Sequence, residues 1–89
     1  MVINLSAVKP PSEVLAKILE IIAENSCIIR DSELYKRLKK EVDINYSDLL
    51  RYLMLLEIRG YVHVSGGRED VRIVSLSRLA KEQLRINSC

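Results

Sequence analysis

SDLLRYLMLLEIRGYV, running from Ser47 to Val62, is the stretch whose reading decides the fold. Asn45 or Ser47 can cap a helix here, reaching to Arg59. Gly60 is its C-terminal stop, because glycine takes the left-handed backbone that commonly closes a helix. Tyr61-Val62-His63-Val64 then begins a β-rich run, so one helix leads directly into a strand.

Downstream, Val71-Arg72-Ile73-Val74 is a second β-rich run. Ser65-Gly66-Gly67-Arg68-Glu69-Asp70 between the two has the turn chemistry of a hairpin, predicted over residues 61–75. Ser77 caps a last amphipathic segment, with Leu76, Leu79, Ala80, Leu84 and Ile86 set against Arg78, Lys81, Glu82 and Arg85. Upstream, Pro10-Pro11 blocks helix on its N-terminal side and a first helix begins near Ser12. Its apolar residues Val14, Leu15, Ile18, Leu19, Ile21 and Ile22 share one side, and Asn25-Ser26 ends it. Cys27-Ile28-Ile29 is a short apolar segment. Asp31 or Ser32 can cap a second helix, roughly Ser32 to Glu41, whose stripe is Leu34 and Leu38, with Tyr35 and Val42 as further candidates. The chain therefore divides into an arm (1–11), one domain (12–86) and a tail (87–89).

Composition narrows the function classes. Eighty-nine residues, 48% hydrophobic, suffice for one domain and not two. Fourteen Lys/Arg against twelve Asp/Glu leave +2, which does not announce nucleic-acid binding by composition. Charges such as Lys17, Glu20 and Glu24 interrupt every long apolar run, so no membrane span is expected, and the first eleven residues lack the features of a signal peptide. A soluble cytoplasmic protein is the expectation, and high Ile, Leu, Lys and Glu usage hints at a thermophilic source.

Three helices, a glycine-tipped hairpin and a closing helix describe an α+β, mostly α, winged helix-turn-helix: a three-helix core, a two-stranded β wing and a C-terminal helix. Ser47 to Val62 resembles the recognition helix and first wing strand of MarR-like and related small prokaryotic and archaeal winged-helix regulators, with Leu53, Leu56-Glu57, Gly60 and Val62 where that pattern expects them. Val74-Ser75-Leu76-Ser77 with Ala80 and Leu84 is similar to the family's strand-to-helix junction, although the family usually has Thr for Ser77 and Gly for Ala80. The resemblance spans about Ser12 to Ile86 and is specific for fold rather than for function, since winged helices also serve as protein-binding modules. The family's long flanking dimerisation helices and an obvious effector pocket are missing from the pattern.

The resemblance implies sequence-dependent binding of double-stranded DNA, with helix 46–59 in the major groove. Asn45, Tyr46, Ser47, Asp48 and Arg51 are then the side chains able to reach base edges or flanking phosphates, Arg51 foremost because its planar guanidinium can bond guanine twice. Lys36, Arg37, Lys39 and Lys40 would meet phosphates, or form an ordinary charged surface, since Asp31 to Asn45 is neutral overall. Arg68 at the hairpin tip and Arg72 on the second strand would let the wing touch the backbone or minor groove, against which stand Glu69 and Asp70. A homodimer is expected from size and symmetry.

One feature of the same helix opposes a pure DNA reader. If Leu49, Tyr52, Leu53 and Leu56 are buried, as the family pattern implies, the opposite side carries Met54, Leu55 and Ile58, a candidate interface for a protein partner. The arm, with Val2, Ile3, Leu5 and Val8, or the last helix would otherwise cover it. Enzymatic activity, a cofactor and a metal site are not expected: His63 should face away from Val62 and Val64 without catalytic companions, and Glu69 and Asp70 sit together on a turn tip. Tyr52 and Tyr61 read as core. Cys27 reads as a small buried residue and Cys89 as a mobile free thiol, with no disulfide framework within one chain. A redox switch through Cys89 remains open, behind an intermolecular disulfide formed in an oxidising preparation.

Overall fold

Pro11 opens the first helix, where its missing N–H costs nothing. The computed structural model describes residues 11–66, 70–87 and 89. Within them the order is α1 (Pro11–Glu24), β1 (Ile28–Arg30), α2 (Asp31–Lys39), α3 (Tyr46–Ile58), β2 (Val62–Gly66), β3 (Arg72–Leu76) and α4 (Arg78–Gln83). The architecture is α+β and mostly helical, with four helices and one three-stranded antiparallel sheet among the described residues. The predicted arm, apart from Pro11, and the hairpin tip with Arg68 lie outside them.

All six apolar positions expected on α1 are buried. The helix ends because Ser26 and Cys27 both adopt left-handed backbone (φ 61° and 67°). The Cys27 N–H still donates to the Ile22 carbonyl at 2.9 Å, which satisfies a terminal acceptor. That corner turns the chain into β1, a strand that the expected two-stranded ribbon did not include. The sheet order is β1-β3-β2, and β1 pairs antiparallel with β3 through Ile28↔Ser75, Ile29↔Val74 and Arg30↔Ile73. Three residues form a strand here because Ile29 lines up with Val74, itself opposite Val64, on the inner face. Ile28 and His63 occupy the outer face and are exposed, as the period of two requires.

The helix ends follow local chemistry. Asn45 caps α3 with a reciprocal box: its side chain accepts from the Asp48 N–H at 2.8 Å, and the Asp48 carboxylate accepts from the Asn45 N–H. Gly60, at φ 80°, closes α3. Ser77 caps α4 by accepting from the Ala80 N–H at 3.1 Å and donates its hydroxyl hydrogen to the Gly60 carbonyl at 2.6 Å, which ties α4 to the end of α3. Leu34, Leu38, Leu49, Leu53 and Leu56 meet Ile18, Ile22, Val62 and Val74 in the core. Tyr52 and Tyr61 are half-buried against it.

One expectation is overturned. Cys27 and Cys89, 62 residues apart, are joined in a disulfide, with their Cα atoms 6.0 Å apart. Cys27 is buried as expected, but Cys89 is not a free thiol: the fold brings the tail back to the α1–β1 corner.

Candidate functional site

Asp31 is the residue around which three elements meet. It stands at the first position of α2, preceded by Arg30 as a cap residue without a side-chain cap bond. The expectation that Asp31 or Ser32 caps this helix therefore needs correcting: the Asp31 carboxylate turns inward, although it still accepts the Ser32 N–H at 2.9 Å. It also accepts the Tyr46 hydroxyl from the start of α3 and, at 3.4 Å, the Arg72 backbone N–H from β3. The Arg72 guanidinium lies 3.9 Å from the same carboxylate and 3.5 Å from the Tyr46 hydroxyl. Asp31 is only 3% exposed, and a buried carboxylate is tolerable only when its acceptor sites are filled in this way.

Tyr46 and Arg72, two of the residues read as DNA contacts, thus spend polar atoms on Asp31. Burial raises the Tyr46 phenol above its ordinary value, and the hydrogen bond to the Asp31 carboxylate, which favours the protonated form, raises it further. Tyr35 packs edge-on against the Tyr46 ring, with centroids 5.7 Å apart, and donates its own hydroxyl to the Ile44 carbonyl. The start of α3 is consequently held from inside by two tyrosines.

The outward side of α3 is a row at helical spacing: Ser47, Arg51, Met54 and Ile58, all exposed. Its N-terminal half is polar. The Arg51 side chain is 78% exposed and pairs with Asp48, one turn back. Asn45 and Asp48 are engaged in the helix cap, so of the five side chains expected to face DNA here, Ser47 and Arg51 project most freely. The C-terminal half is apolar, with Met54 60% and Ile58 76% exposed. Leu55, expected with them, is instead half-buried against the core. Among the described residues, α4 leaves Met54 and Ile58 uncovered.

Lys36 and Lys39 of α2, and Lys40 just after it, are exposed on the side opposite Leu34 and Leu38. Lys39 lies over the Tyr35 ring, 5.6 Å from its centroid. Arg37 is separate from them. It pairs with Glu33 at 3.3 Å and donates to the Asn25 side chain at 3.1 Å, bracing α2 against the end of α1. A second brace lies just beyond the same C-terminal end of α2, where Glu41 pairs with Lys17 of α1 at 3.2 Å. Glu57, noted only as part of a pattern, accepts the Val64 N–H at 3.2 Å and so fills a donor on the β2 edge.

Sequence reasoning missed Asp31 as an anchor, because an aspartate at a helix start reads first as a cap. The inward turn of Tyr46 had a signal: it precedes Leu49 and Leu53 at helical spacing on the same stripe. Exposed Arg30, opposite Ile73 in the sheet, had none. No helix of the described residues is long and apolar enough to cross a membrane. Comparison of the chain with family models, with curated proteins and with solved structures finds no match.

Proposed function

We propose that the protein is a winged-helix DNA-binding module, acting as a cytoplasmic transcriptional regulator and binding as a homodimer. The observation that carries this reading is the presentation of α3: its capped first turn projects Ser47 and Arg51 to solvent, while Asp31 ties α2 and β3 to that same end. A short strand between the first two helices that completes the sheet of the hairpin also suits a winged helix. In this reading Arg51 leaves Asp48 to bond a guanine edge, Ser47 reaches a base or phosphate, and Lys36, Lys39 and Lys40 neutralise phosphates. The Arg72 guanidinium, half exposed, turns its outer donors to the backbone, and the β2–β3 hairpin is the wing.

Retention of duplex DNA across a salt series tests the proposal. Affinity should fall steeply with salt, and Lys39→Ala with Lys40→Ala should reduce the slope of log K against log salt by about one for each phosphate no longer neutralised. Arg51→Ala should cost about 1–3 kcal/mol of discrimination between sequences. Absence of retention at low salt overturns the reading. The exposure of Met54 and Ile58 favours a second one, a protein-interaction module that uses this apolar end of α3. Under it, Met54→Ser with Ile58→Ser abolishes partner binding and Arg51→Ala does not.

A further inference from the structure

The two cysteines of the chain, Cys27 and Cys89, meet although 62 residues separate them. Their Cα atoms, 6.0 Å apart, lie within the range that a disulfide spans. The two partners differ in access. Cys27 is 4% exposed at the corner between α1 and β1, where its carbonyl accepts the Leu76 N–H at 3.0 Å, whereas Cys89 is exposed. Among the described residues, α4 and the segment after it have few holds of their own. α4 has six residues and buries only Ala80, and Leu79 and Leu84 stay largely exposed. Beyond it, Arg85 takes left-handed backbone, the Ile86 N–H donates to the Lys81 carbonyl at 2.8 Å, and Ile86 packs half-buried on the core.

We propose that Cys27 and Cys89 form a redox clasp, a reversible disulfide that seats α4 and the segment after it on the α1–β1 corner. The oxidant is a low-molecular-weight disulfide such as oxidised glutathione. Cys89, the accessible partner, attacks as its thiolate and forms a mixed disulfide, releasing one small thiol. The Cys27 sulfur, having lost its proton to solvent, then attacks the Cys89 sulfur and expels the second small thiol. Two protein thiols are oxidised, one small disulfide is reduced to two thiols, and the two protons pass to the leaving sulfurs. Reduction reverses these steps, and a reductant enters at the Cys89 sulfur because Cys27 is shielded. With the bond open, α4 loses its covalent tie and is anchored mainly by the Ser77 cap, Ala80 and Ile86, so its amides open more often. The clasp is independent of any DNA-binding role.

The full chain, incubated with oxidised or reduced glutathione, tests this by intact mass, thiol alkylation and hydrogen exchange. The expected oxidised product is a single covalent chain two hydrogens lighter, whatever its non-covalent association, that takes up no alkylating agent until reduced. Its Leu84 and Ile86 amides should exchange at least about tenfold more slowly than in the reduced form. Cys89→Ser, a change at an exposed position, should behave as the reduced form does in both buffers. Covalent dimers through Cys89, full alkylation of both thiols after oxidation, or equal exchange at Leu84 and Ile86 in the two redox states would each overturn the clasp.

Discussion

Replacing Asp31 by Ala removes a single carboxylate on which α2, α3 and β3 converge. The loss includes the Tyr46 hydroxyl bond, the Ser32 N–H bond at 2.9 Å and a long bond from the Arg72 N–H at 3.4 Å. Hydrogen bonds to an ionised group contribute about 1.5–3 kcal/mol each, but part of that is returned here because the carboxylate no longer has to be desolvated. The ion pair with Arg72 adds at most a few tenths of a kcal/mol, since at 3.9 Å, with the guanidinium side 42% exposed, water screens it. A net destabilisation of about 2–3 kcal/mol follows, which for a chain of this length lowers Tm by about 10–20 °C. Asp31→Asn keeps the shape and one acceptor for Tyr46, so it should cost about half as much. Urea denaturation followed by circular dichroism measures both variants, and a cycle with Tyr46→Phe isolates the pair, whose coupling should exceed about 0.5 kcal/mol. A stability within about 0.5 kcal/mol of the parent for Asp31→Ala, or strict additivity with Tyr46→Phe, would refute the reasoning that this carboxylate holds the elements together.

Two further outcomes rest on local features. Because the Tyr46 phenol is raised in the folded state, its contribution to stability is complete below the unfolded tyrosine value of about 10 and is lost as pH rises through that value toward the folded one. Denaturation at pH 8, 10 and 11 should show this loss in the parent, and Tyr46→Phe should lessen it. Gly60→Ala meets only Leu79, at an ordinary contact of 3.8 Å, so its cost is that of left-handed backbone, about 1–2 kcal/mol. A neutral or stabilising result in thermal unfolding would contradict the strain argument.

Much of the fold was legible because helix ends and amphipathic faces are local. The Asn45 cap, the Gly60 stop, the Ser77 cap and the buried side of α1 each need only a few neighbouring residues to satisfy their hydrogen bonds or to align apolar side chains. The hairpin was read from two β-rich runs around a glycine pair, with its strands displaced toward Gly66 and Leu76 in the structure. The candidate site was legible in part. Ser47, Arg51 and the exposed lysines of α2 stand on outward faces that periodicity identifies, whereas Leu55 turned toward the core and Tyr46 and Arg72 turned to Asp31.

The sequence by itself determined which segments become helices, which faces they bury and where α3 and α4 are capped, because these properties are settled within one or two turns of chain, whereas α2, expected over Ser32 to Glu41, runs Asp31–Lys39. Tertiary structure alone decided that Ile28–Arg30 would pair with β3, that Asp31 would serve an interior junction rather than a cap, and that Cys27 would meet Cys89. Each of these joins residues far apart in the chain. Partners that depend on how helices pack leave no periodic mark in either of the segments that supply them.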